Sequence, residues 1–354
     1  MLRKVLWWGR FDPDYSRNRV LRAAFEHLGW EIVDYHPRLS ALGGFGAEAF
    51  VGAVDLVWVP CFRQRDILAA SRWARRHGIP VVFDPLISAY DKQVFERELL
   101  SVGSFRAKRL LQRERRQFQS ADLLVADTQA HADYFADEFH VPTERLHVIP
   151  VGAEEAIFRP CHRLQRVAGE ALEVLFYGTF IDLQGPQVIV EAAQRCRDEN
   201  IVWTMLGAGP LLARCQELAA QFRLDNLRFE PWVSYPDLPQ RICRADILLG
   251  VFGASGKAGR VIPNKVYQSL ACGRPVITRT STAYPRSLST SLKAGLYQVD
   301  PDSPVALADA VIQLSASTET LLACGSAARN VYDQFFSSRA IHASLRSLLE
   351  RFYP

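Results

Sequence analysis

Short apolar runs alternate with amphipathic stretches along most of the chain. In the first half the runs are Val5–Trp8, Ile32–Tyr35, Leu56–Val59, Val81–Phe83, Leu123–Ala126 and Val148–Val151. Each is continuous rather than alternating, the pattern of a strand covered on both faces of a parallel sheet. Between them, Val20, Leu21, Ala24, Phe25 and Leu28 recur at helical spacing, and Gly29 stands where a helix stops. A second helix is predicted from Gln64 to His77, closed by Gly78 and Pro80.

The alternation lapses over residues 153–171, which hold Pro160 and Gly169 and read as a linker. It resumes with Val174–Tyr177, Val202–Leu206, Leu227–Phe229, Ile247–Phe252, Val276–Thr278 and Leu296–Val299. Helical patterns intervene at Val188–Cys196 and Leu211–Phe222, and two more close the chain over 318–335 and 338–352. The expected fold class is α/β, with two Rossmann-like, doubly wound domains facing a cleft. The expected domains are residues 1–160 and 161–336, with 337–354 as a separate C-terminal helix. Ligands of such sheets bind at the carboxyl ends of the strands. The loops there are therefore where chemistry is sought.

Composition narrows the picture without redirecting it. Of 354 residues, 49% are hydrophobic and 23% charged, which excludes a disordered, collagenous or coiled-coil chain. A net charge of +4 is too weak to imply nucleic acid. The seven cysteines are odd in number and form no C-x-x-C pair, so reduced thiols are expected rather than a disulfide framework or a zinc site. No apolar run reaches the ~18 residues of a membrane span, and the one near residue 5 is too short for a signal-peptide core. A cytoplasmic chain is expected.

The stretch from Gly250 to Arg279 is the most informative. A strand is followed by a loop with Gly253, Gly256 and Gly259, then by a helix opened at Pro263. A helix start presents unpaired N–H groups and about half a positive charge. Lys257, Arg260 and Lys265 surround this one and Asn264 adds an amide, the chemistry of a diphosphate site. It is not a P-loop, because Val251 and Ala258 replace the required glycine and hydroxyl. Gly207-Ala-Gly209 fails as a dinucleotide fingerprint, its third glycine being Leu212. The turn at Gly178–Thr179 allows close backbone approach and offers a hydroxyl.

In the first domain, Gly9 and Asp84 end strands and are expected at the mouth of the cleft, where Asp84 would orient or deprotonate a hydroxyl; the simpler reading is an aspartate that binds a neighbouring backbone turn. His36 and His131 read as structural. Asp12-Pro-Asp14 and Asp300-Pro-Asp302 read as turns, and no metal is expected. Residues 105–118 form a strongly basic helix. A solvated face is the simpler reading, and contact with anionic lipid is the alternative.

Several segments, in this order and spacing, resemble one family. They are Ala121-Asp-Leu-Leu-Val-Ala-Asp-Thr128, Val148-Ile-Pro-Val-Gly152 with Phe158-Arg-Pro160, Phe176-Tyr-Gly-Thr179 and Leu206-Gly-Ala-Gly-Pro210. Phe229 with Trp232-Val233, Ala245-Asp246 and Lys265-Val-Tyr-Gln-Ser-Leu-Ala-Cys-Gly-Arg-Pro-Val-Ile277 complete the set. Together they resemble glycosyltransferase family 4, retaining nucleotide-sugar enzymes of the GT-B fold. Arg260 and Gln268 stand at the positions of that family's E-x7-E glutamates, and Thr179 and Gln184 at those of its diphosphate-turn Arg and Lys.

The resemblance implies that the first domain binds an acceptor and the second a nucleotide sugar. Gly178, Thr179, Lys257, Arg260, Asn264 and Lys265 would hold the diphosphate, and Trp232 and Val233 would lie beside the nucleobase. The C-terminal helix would pack back on the first domain. The implied activity is transfer of a sugar from a nucleotide diphosphate sugar to an acceptor hydroxyl, retaining and metal-independent, in glycan or glycoconjugate synthesis. A nucleotide-sugar epimerase and a non-catalytic sugar-nucleotide-binding subunit remain the alternatives.

Overall fold

A computed structural model describes residues 2–161, 169–288, 291 and 294–353; residues 162–168 of the expected linker lie outside these. The chain divides into two units, Met1–Gly152 with Ser338–Pro354, and Ala153–Ser337.

In the first unit, β1 (Arg3–Trp8), β2 (Trp30–Tyr35), β3 (Leu56–Val59), β4 (Val81–Phe83), β5 (Leu123–Ala126) and β6 (Leu146–Val148) form one sheet in the order β2-β1-β3-β4-β5-β6. Every pairing is parallel. The crossovers include α1 (Ser16–His27), α2 (Gly43–Phe50), α3 (Ile67–His77), α4 (Ala89–Asp91), α5 (Phe105–Phe118) and α6 (Gln129–Phe139). Successive strand residues point to opposite faces, and both faces are covered. Leu6, Trp8, Val57 and Val59 pack on Trp73, Phe135 and Phe139. Val5, Trp7, Leu56 and Trp58 pack on Leu21 and Phe25, with Trp7 stacked on Trp58 at 5.7 Å. The sixth strand sits earlier than its expected place at Val148–Val151. Ile149 still donates to Ala126, but Pro150 has no N–H with which to extend the ladder.

In the second unit, β7 (Leu172–Thr179), β8 (Ile201–Ala208), β9 (Leu227–Glu230), β10 (Ile247–Leu249), β11 (Val276–Arg279) and β12 (Leu296–Val299) run in the order β12-β11-β10-β7-β8-β9, again all parallel. The helices are α7 (Pro186–Arg195), α8 (Leu212–Phe222), α9 (Leu238–Arg244), α10 (Asn264–Ala271), α11 (Pro304–Ser315) and α12 (Thr318–Phe335). The last helix, α13 (Ser338–Glu350), belongs to the first unit, where Ile341, Leu345 and Leu348 complete the core under α1. β10 stops three residues before the expected Phe252, and Val251 N–H turns to the Thr278 hydroxyl at 3.2 Å.

The cysteine expectation fails at one pair. Cys161 and Cys243 are joined by a disulfide with Cα atoms 5.6 Å apart; the other five are buried thiols. Partners 82 residues apart carry no spacing signal; the pairing is made by the fold, which lays the segment after Pro160 against the end of α9. Among the described residues, no single helix is long and apolar enough to cross a membrane.

Candidate functional site

In the second sheet, β7-β8-β9 wind away in one direction and β10-β11-β12 in the other. The topological switch therefore falls between β7 and β10, where a doubly wound sheet opens a crevice at its carboxyl edge. Two of the sequence-derived segments leave from this point, the Gly178–Thr179 turn after β7 and the glycine loop after β10. Their backbones touch. A Cβ on Gly253 would fall 2.2 Å from the Asp182 carbonyl, and one on Gly185, which has φ +63°, 2.7 Å from Gly253 N. Glycine is required at both for the turns to close on each other.

Helix α10 starts just beyond, with Pro263 as its N-cap, so no side chain caps it. Pro263 and Asn264 are half-buried. From the first turn Lys265 reaches back under the β7 turn. Its Nζ donates to Gln184 Oε1 at 2.6 Å and sits 3.8 Å from the Phe176 ring centroid. A Cβ on Gly178 would lie 2.8 Å from that nitrogen, so only glycine leaves room for it. Lys265 is 5% exposed. Burial pushes its ammonium well below the usual lysine value, and among the described residues no carboxylate pairs with it. An anion arriving at this crevice meets a poorly solvated cation and a helix start together.

The remaining expected residues are spread around this centre. Thr179 is exposed at the end of β7, in register with Ala208. Lys257 is buried in the glycine loop, while Arg260 is half-buried and leans over Gly256. Trp232 is 50% exposed. Its indole lies beside Gly207, where a Cβ would come within 3.3 Å of it, so the ring flanks the end of β8; Val233 follows, half-buried. Gln268 is buried in α10, and its Oε1 is 3.0 Å from the Tyr177 hydroxyl.

In the first unit Gly9 does end β1, at φ +142°, but the space a Cβ would need is filled by the Arg63 side chain. Asp84 departs from expectation. It is fully buried, and Arg17 donates to both carboxylate oxygens, at 2.9 and 3.1 Å. Arg17 also donates to the carbonyls of Ile149 and Pro150. Burial raises the Asp84 carboxyl above its ordinary value, with Arg17 pulling the other way. A carboxylate engaged on both oxygens inside the core ties β4 to α1 and does not meet a substrate hydroxyl.

His131 Nδ1 lies 2.6 Å from an Asp127 carboxylate oxygen, which accepts, and His36 Nδ1 faces the Gly9 carbonyl at 2.7 Å, both structural. Asp14 N–H donates to the Asp12 carboxylate at 2.9 Å, the bond of an Asp-Pro turn. Arg279 is a further residue at this point of the sheet. Its guanidinium donates to the Gly253 and Ser255 carbonyls and holds the glycine loop in place. It is the last residue of β11, beside the switch.

Comparisons with known proteins agree with this geometry. Residues 8–152 match the family described as Glycosyl transferase 4-like domain, and residues 171–317 that described as Glycosyl transferases group 1. Among curated relatives, the putative colanic acid biosynthesis glycosyl transferase WcaI of Escherichia coli (strain K12) is 31% identical over 182 residues, 46% of this chain and 44% of that protein. A D-inositol 3-phosphate glycosyltransferase of Paenarthrobacter aurescens is 27% identical over 252 residues, 67% of this chain and 59% of that one. The chain thus spans about half the length of the curated relatives it matches.

Two solved structures share the whole fold at low identity. The sucrose-phosphate synthase of Thermosynechococcus elongatus has a TM-score of 0.75 at 15% identity, covering 100% of this chain and 99% of that one. Anabaena Alr3699/HepE, solved in complex with UDP, has a TM-score of 0.73 at 13% identity, covering 98% and 100%. With a 4-like domain on its first sheet, a group 1 domain on its second and the GT-B fold throughout, the chain belongs to glycosyltransferase family 4.

Proposed function

We propose that the chain transfers a sugar from a nucleoside diphosphate sugar to a hydroxyl of a glycan or lipid-linked acceptor, with retention and without a metal ion. The observation that carries this is Lys265, a buried lysine in the first turn of α10 at the sheet's switch point, whose Nζ meets the Gln184 amide and the Phe176 and Tyr177 rings and, among the described residues, no carboxylate. A departing diphosphate builds negative charge, and fixed cations and helix dipoles stabilise it most where water is scarce. Lys265, the start of α10 and the loop bearing Lys257 and Arg260 supply such a field. Trp232 and Val233 would take the base, and Thr179 a phosphate oxygen. With the leaving group held on one face of the sugar, its own oxygen is the base nearest an incoming hydroxyl, which gives front-face substitution. Alr3699/HepE has been solved with UDP-glucose, so UDP-sugars are the first donors to try.

The test is sugar transfer to a panel of glycan and lipid-linked acceptors in EDTA. Acceptor-dependent product with the donor's anomeric configuration is expected at undiminished rate. Activity that appears only with added Mn²⁺ contradicts the metal-free site. Conversion of the donor sugar without any acceptor supports the epimerase, and donor binding without any turnover supports a binding subunit.

We place the acceptor side on the first unit and include a membrane surface in it. Arg106, Lys108, Arg109, Arg113 and Arg116 are exposed along α5, and Arg65 joins four of them around a cavity of about 730 Å³. Leu99 and Val102 stand exposed just before the helix, and Phe105 at its first residue. Basic residues near an anionic leaflet contribute about 1 kcal/mol each. Replacing Arg106, Arg109 and Arg113 by Glu is expected to lower binding to phosphatidylglycerol-containing vesicles at least tenfold. Equal binding of the unaltered chain to neutral phosphatidylcholine vesicles contradicts this surface.

A further inference from the structure

We propose that Cys161, Cys243 and Cys272 form a three-thiolate site for a single Zn²⁺-type ion, open when the Cys161–Cys243 bridge is reduced and closed when it is formed. The three sulfurs all lie within 4.8 Å of one another, and among the described residues no other group of three or more His, Cys, Asp or Glu converges in this way. Zinc–thiolate bonds of about 2.3 Å in tetrahedral geometry put sulfurs ~3.8 Å apart. The cluster therefore needs only small side-chain adjustments once the S–S bond opens.

Contacts that do not involve sulfur hold the cluster together. Cys161 N–H donates to the Cys272 carbonyl at 3.2 Å, and the Arg274 guanidinium donates to the Cys243 carbonyl. The three residues come from the segment after Pro160, the end of α9 and the C-cap of α10, so one backbone bond and one arginine bond tie these elements together. Three thiolates around Zn²⁺ carry one net negative charge. Arg274 and Arg329 stand beside it, the latter donating to the Ala271 carbonyl at 2.7 Å. An open cavity of about 440 Å³, lined by Pro160, Cys161, Asp246, Cys272, Arg274 and Arg329, gives an entry path and room for water as fourth ligand.

The chemistry balances. Two equivalents of a small thiol, RSH, reduce the bridge to two cysteine thiols and leave as RSSR. Binding of Zn²⁺ by the three thiols then releases three protons. No step involves the sugar-transfer site.

Co²⁺ titration of the full chain tests this, because thiolate-bound cobalt gives a sulfur-to-metal charge-transfer band in the near ultraviolet. The reduced chain is expected to bind one Co²⁺ with that band, to lose the band on adding one equivalent of Zn²⁺, and to show none after oxidation. Cys161→Ser and Cys243→Ser, both at half-exposed positions, are expected to weaken binding at least tenfold, while Cys215→Ala on α8 leaves it unchanged. A reduced chain without the band overturns the proposal. So does an equal band in the oxidised chain, or one that survives in both serine variants.

Discussion

Lys265→Met is expected to raise the melting temperature of the ligand-free protein while weakening nucleoside diphosphate binding by roughly 10- to 100-fold. The loss follows from removing a charged hydrogen bond, about 1.5–3 kcal/mol, at 1.4 kcal/mol per tenfold. The gain follows from Lys265 sitting buried on an amide and a ring with its ammonium pushed well below the usual lysine value. An apolar side chain of similar length removes the cost of desolvating that charge. The sign with pH is fixed. The unfolded chain protonates this lysine at a higher pKa than the folded one, so the native state is penalised below the unfolded value. The penalty grows as pH falls from the unfolded toward the folded pKa. The thermal advantage of Lys265→Met should therefore grow as pH falls below the ordinary lysine value and vanish above it. A variant that melts lower and binds UDP equally well contradicts both halves.

Asp84→Ala is expected to cost about 3–5 kcal/mol, because it leaves the Arg17 guanidinium buried without its counter-ion. Calorimetry should show the first unit melting earlier, with the second unit's transition unchanged. At a temperature where the variant is folded, donor and acceptor kinetics should stay within a few-fold of the unaltered chain. Abolished transfer in a variant of unchanged stability would instead restore a catalytic role for Asp84.

These two residues also mark how far the sequence could be read. The strands at Leu56–Val59, Val81–Phe83, Leu123–Ala126 and Leu296–Val299 were legible to the residue because continuous apolar runs between helices have one common explanation, a sheet covered on both faces. The start of α10 was legible because Pro263 and the glycine loop are local signals. What stayed hidden is non-local. Asp84 lies 67 residues from Arg17 and Lys265 lies 81 from Gln184; only the folded sheet shows that one pair closes the core of the first unit while the other joins the turn after β7 to the start of α10. Helix α6, with Phe135 and Phe139 on its buried face, also went unmarked, its Thr128 cap being a signal only once the hydroxyl is seen to accept from His131 N–H. The disulfide was invisible for the same reason, since a pairing across 82 residues leaves no motif.

The central claim is that a diphosphate lands on Lys265. Calorimetric titration of UDP into the protein, in two buffers of different ionisation enthalpy, counts the protons exchanged on binding. A dianion placed against the depressed Lys265 ammonium raises its pKa, so at a pH between the free and bound values the account expects the unaltered chain to take up a proton that Lys265→Met does not. The same proton count for both proteins, with UDP bound to each, would contradict it.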